Sequence, residues 1–94
     1  MNLEQNVYVA HLNNVRKSWV GKVPENIKEI FRAMPQAERF EHYKRIDEAV
    51  SAVHTGLIHD AREAGTKINE SKSKEFLDNA ADRVVESLIN GTFA

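Results

Sequence analysis

Cysteine is absent from this chain, and with it go disulfide scaffolds, thiolate zinc sites, iron–sulfur clusters and thiol catalysis. Proline occurs twice, glycine four times and tryptophan once among 94 residues. So few breakers, with few clusters of β-branched residues, favour helix. No apolar run approaches the length of a membrane span, and the opening MNLEQNVYVAHLNN lacks the basic and apolar regions of a signal peptide. A soluble, cytoplasmic protein with no membrane contact is expected. Neither sign of charge prevails, because 13 Lys and Arg stand against 14 Asp and Glu. The global field that draws a nucleic-acid-binding protein to phosphate is therefore missing, and nucleic acid is a disfavoured partner.

What is present is helical periodicity. Asn2 and Gln5 resemble a capping box, after which Tyr8, Leu12, Val15 and Trp19 recur at helical spacing up to Gly21, a candidate C′ residue. Pro24 suits the first position of a second helix, which carries Ile27, Ile30, Phe31 and Met34 on one stripe. Pro35 pushes Met34 out of the α region, so a corner is expected there, with Pro35 opening a third helix. That helix is the dominant element: Phe40, Tyr43, Ile46, Val50, Val53, Leu57, Ala61 and Ala64 form its apolar seam as far as Gly65.

Residues 66–73 form a polar connection with Ser71 or Ser73 as candidate N-caps. A fourth helix then runs through Leu77, Ala80, Ala81, Val84, Val85, Leu88 and Ile89 to Gly91. Small residues at 80 and 81 suggest a close approach to Ala61 and Ala64 in an antiparallel pair. The expected fold is all-α: one helical domain over 1–94, with N-terminal helices in 1–34 and a long helical hairpin in 35–94. Unless Gly56 bends it, the third helix makes a rod of about 45 Å. A compact chain of this length has a radius of gyration near 12–13 Å. A homo-oligomer is therefore expected, with a second copy covering the hairpin.

Residues able to carry chemistry are sparse. The histidines at 11, 42, 54 and 59 lack the i, i+3 or i, i+4 spacing of a helical metal site. Asp47, Ser51 and His54 share a face and resemble a hydrolase triad in residue type, but a mid-helix serine has no free backbone N–H groups for an oxyanion site. A solvated polar face is the expectation. Asp78, Asp82 and Glu86 make an acidic ridge without the loop carbonyls that complete a divalent-cation shell. No cofactor, metal or catalytic residue is expected, and function falls to binding.

Charge is unevenly spread. Residues 1–33 hold five basic and three acidic side chains, residues 34–64 four and six, and residues 65–94 four and five. The basic N-terminal third places Arg16, Lys17, Lys22 and Lys28 around Tyr8 and Trp19, and with Leu12 these make a candidate surface for a partner protein engaged by helix-in-groove packing. The basic third also offers a route to subunit contacts with the acidic hairpin, and its aromatic rings beside cations keep direct nucleic-acid binding as a third reading. A second basic and aromatic cluster comprises Arg39, Phe40, Tyr43, Lys44 and Arg45, just past the Pro35 corner.

At this second cluster the stretch PQAERFEHYKRIDEAV resembles the start of the helical hairpin in phage anti-CBASS proteins, oligomeric sponges for cyclic oligonucleotide immune signals. Glu38, Arg39 and Phe40 match the Glu-Arg-aromatic part and Lys44 the basic position that follows. The resemblance implies a phosphate-facing Lys44, an aromatic residue stacked on a base, and Arg39, Phe40, Tyr43 and Lys44 as ligand-binding residues. Two partners are thus in view. The leading reading is a non-enzymatic helical regulator, of the kind found among phage and bacterial regulators, that binds and inhibits a host protein. The alternative is a cyclic-nucleotide sponge.

Overall fold

The computed structural model describes the backbone of residues 3–93 and the side chains of residues 10–93. Four helices follow one another: α1 (Leu3–Val20), α2 (Glu25–Ala33), α3 (Gln36–Glu63) and α4 (Glu70–Ile89), with no strand among the described residues. The Asn2 and Gln5 capping box and the side chain of Tyr8 lie outside the described residues.

Each boundary has a local cause. Both prolines serve as N-caps, one place earlier than their expected position inside the helix, with ψ near 150° at each (153° at Pro24, 148° at Pro35). Their carbonyls take the first helical N–H groups, from Lys28 to Pro24 at 3.1 Å and from Arg39 to Pro35 at 2.9 Å. Met34 is extended at ψ 149°, as the following proline requires, and this makes the α2–α3 corner. Gly21 does not take the left-handed conformation expected of it; the turn after α1 is closed by Lys22 N–H donating to Trp19 O at 3.0 Å. Gly65 and Gly91 do occupy that region, at φ +85° and +72°. The N-cap of α4 is Asn69 rather than Ser71 or Ser73: its Oδ1 accepts from Lys72 N at 2.7 Å, which shortens the connection and starts the helix earlier.

Helix α3 runs through Gly56 as one element of 28 residues, about 42 Å long. It pairs with α4 as an antiparallel hairpin, but not in the expected register. His54 Nε2 donates to Ser73 O at 3.0 Å, which sets Ala80 and Ala81 well short of Ala61 and Ala64 along α3. Ala80 and Ala81 are fully buried, while Ala61 is half-buried and Ala64 exposed. What the two alanines admit is α1, which packs across both hairpin helices and delivers Val15 and Trp19, 0% and 1% exposed, to the same cluster.

This packing answers the question of cover. Val15, Trp19, Val23, Phe31, Ile46, Val50, Val84 and Val85 close into one core within a single chain. The molecule is a thin slab of 45 × 38 × 20 Å, and its radius of gyration of 14.5 Å exceeds that of a compact chain. Cover for the hairpin, the reason for expecting a homo-oligomer, comes from α1 of the same chain. No described helix is long and apolar enough to cross a membrane.

Candidate functional site

The most organised part of the molecule is the junction where the end of α1, helix α2 and the start of α3 meet. Asp47 stands at its base. The periodicity that buries Ile46 and Val50 also turns Asp47 inward, and only 5% of it is exposed. Its carboxylate accepts from Arg16 Nε at 3.0 and 3.1 Å, from Arg16 Nη2 at 2.5 Å and from Trp19 Nε1 at 2.7 Å. Three donors, of which Arg16 Nε bridges both oxygens, satisfy the buried carboxylate, and the hydrogen bonds to Asp47 raise the Arg16 pKa above the ordinary arginine value.

The solvated polar face expected for Asp47, Ser51 and His54 is therefore corrected at Asp47. The three residues also diverge. Ser51 Oγ lies 3.5 Å from His11 Nε2, and His54 turns to the Ser73 carbonyl. No relay joins them.

Above Asp47 the rings interlock. Trp19 meets Tyr43 edge-on, with centroids 5.7 Å apart, and Tyr43 meets Phe31 at 5.5 Å and 84°. The Arg16 guanidinium carbon lies 5.2 Å from the Tyr43 centroid and 6.0 Å from that of Trp19, so one cation serves the carboxylate and both rings. Outside this cluster opens a groove of about 240 Å³ lined by Trp19, Val20, Val23, Lys28, Phe31, Arg32 and Tyr43. A second concavity, about 520 Å³ and shallower, runs between α1 and α3 past His11, Leu12, Glu48, Ser51 and Thr55.

The structure joins the two sets of residues singled out from sequence, through the Trp19–Tyr43 contact, but gives their members different surroundings. Trp19 is a core anchor and Arg16 is committed to Asp47. Lys22 donates to Asp78 at 2.9 Å and to Asp82 at 2.8 Å, fastening the turn after α1 to α4; these hydrogen bonds, that to Asp82 first, raise its pKa above the ordinary lysine value. Leu12 is half-buried in the second concavity, and Lys17 is exposed. In the other set Tyr43 is half-buried among the rings, Phe40 is 52% exposed beside it, Arg39 lies 5.8 Å from the Phe40 centroid, and Lys44 faces water.

The acidic ridge thus takes a lysine of the same chain as its cation, and no metal-binding cluster occurs among the described residues. The unequal charge of the N-terminal third and the hairpin is spent, at Arg16 and Lys22, on contacts within the chain.

Residues 2–86 match the family described as phage RNA polymerase binding, RpbA. The chain belongs to this phage family. The match spans α1, α2, α3 and most of α4, so the RpbA family is matched across the whole junction. It gives no support to the anti-CBASS resemblance of residues 35–50. No curated protein and no solved structure matches the chain.

Asp47, the residue that ties the junction together, was not legible as such, although one signal existed. It stands four residues after Tyr43 and three before Val50, inside the apolar stripe.

Proposed function

We propose that this protein acts by binding RNA polymerase in the host cytoplasm, as a non-enzymatic regulator that alters transcription by occupying a surface of that enzyme. The carrying observation is the RpbA family match over residues 2–86. The structure is compatible with such a role: its ionic groups are committed to holding helices together at Arg16 and Lys22, while Val20, Ile30, Phe40 and Ile89 stand 40% to 56% exposed. Apolar side chains left in water on a small slab suit a protein partner.

The test is direct. Purified protein is passed over immobilised host RNA polymerase core enzyme and binding is followed by interferometry. Saturable binding with a Kd of about 1 μM or tighter is expected, as specific association at cellular concentrations requires. Absence of binding at ten times that concentration would remove the reading.

A further inference from the structure

From the groove at the α1–α2–α3 junction we infer that its occupant is an acidic amphipathic segment of the partner protein, laid with its apolar face against Val20, Tyr43 and Phe40. The inference rests on the polymerase-binding reading above and adds the chemistry of the contact. Three observations carry it.

First, the groove is apolar and open. Its floor is made by Trp19, Val23 and Phe31, Val20 on its wall is 40% exposed, and Phe40, 52% exposed, stands beside the lining residue Tyr43 with ring centroids 6.3 Å apart. Such a concavity fits one or two large apolar side chains of an incoming helix.

Second, its charge has one sign. The lining includes Lys28 and Arg32 and no acidic residue, and Arg39 adds a third cation beside Phe40. Arg32 reaches Glu25 at 2.6 Å, but that pair is exposed, with 59% and 65% of the two side chains in water, and exchanges readily for another carboxylate. Lys28 and Arg32 are one helical turn apart on α2, the spacing at which an acidic helix presents successive carboxylates.

Third, the three rings that line the groove do not offer their faces to a planar ligand. Trp19, Tyr43 and Phe31 meet edge to face, and Arg16 already lies over Tyr43. Stacking of nucleotide bases needs an open ring face. The groove thus suits side chains over bases.

The experiment measures binding of purified RNA polymerase core enzyme to the wild-type chain and to Lys28→Glu, Phe40→Ala and Lys67→Glu. Lys67 is exposed in the connection at the far end of the hairpin, so its reversal controls for net charge. Circular dichroism checks that each variant keeps its helices. Lys28→Glu and Phe40→Ala are expected to weaken binding by about tenfold or more, with Lys67→Glu within about twofold of wild type. Raising salt from 50 to 500 mM is expected to weaken the wild type more than Lys28→Glu.

Binding of the wild type with no loss in either groove variant would overturn the groove assignment and leave the polymerase reading standing. No binding by the wild type would overturn both. The assignment also falls if the wild type binds a single-stranded 20-mer oligonucleotide and Lys28→Glu abolishes it. A dimer in light scattering that Phe40→Ala dissolves would likewise give the groove to a second copy.

Discussion

Replacing Asp47 by alanine tests the architecture at its most connected point. The substitution removes four hydrogen-bond acceptances at once, leaving the Trp19 indole N–H without its partner and the Arg16 guanidinium without its counter-charge. Breaking a buried ion pair from one side costs about 3–5 kcal/mol. The Arg16 side chain is 41% exposed, so water recovers part of its solvation and the lower end applies, about 3 kcal/mol. The stranded indole N–H belongs to that figure, since an orphaned buried donor alone costs about 1–3 kcal/mol. For a domain of this size the loss lowers Tm by about 12–24 °C, a large share of the 5–15 kcal/mol that holds such a fold. Urea titration followed by circular dichroism at 222 nm measures it. Asp47→Asn keeps one acceptor and the shape, and is expected to lose about half as much. A double-mutant cycle with Arg16→Ala isolates the pair and is expected to give at least about 1 kcal/mol of coupling. A loss below about 1 kcal/mol for Asp47→Ala, or a cycle without coupling, would refute the role given to this network.

Other expectations follow from the backbone and the surface. Gly56 lies inside α3 with nothing within 4 Å of an added Cβ, so Gly56→Ala is expected to stabilise by about 0.5–1 kcal/mol, whereas Gly65→Ala, at φ +85°, is expected to destabilise by about 1 kcal/mol. Thermal melts of the two variants should move in opposite directions. Asn69→Ala removes the side-chain cap on Lys72 N and should cost about 1 kcal/mol, seen most clearly as faster amide exchange in the first turn of α4. Two pH effects have opposite signs. Lys22 is raised above its ordinary 10.5 by Asp82 and Asp78, so its contribution is full below that pH and lost as pH rises through the folded value; Lys22→Met should flatten the alkaline limb of the stability profile. Glu25 is lowered from its ordinary 4.5 by the hydrogen bond from Arg32, so its contribution is full above pH 4.5 and lost as pH falls through the folded value; Glu25→Gln should flatten the acid limb.

The helices were legible because apolar positions at 27, 30, 31 and 34, or 43, 46, 50 and 53, repeat with the period of the α-helix, and because the prolines at 24 and 35 punctuate them. The partners of those stripes were not. A stripe says that a face is covered without saying by what, and within this chain α1 lies across both hairpin helices. The register of Ala80 and Ala81 depends on where the connection ends, and a helix starting after Asn69 shifts the pairing with α3. Asp47 needed Arg16, 31 residues away, before its burial made sense. The candidate surface is legible in part. Lys28 belongs to the basic N-terminal third and lines the groove, and Phe40 and Arg39 stand beside its Tyr43 wall, but Arg32 carries no signal until α2 turns it to the same groove.

The chain has one tryptophan, and that residue sits in the core, bonded to the central carboxylate, with its ring forming part of the groove floor. Its ultraviolet emission therefore comes from a single address. A binding partner that settles in the groove changes the surroundings of the indole on its floor, and one that settles elsewhere leaves the spectrum alone unless the Asp47 network moves. The protein is in this sense labelled from within, and the label distinguishes occupation of one face from occupation of another without any added dye.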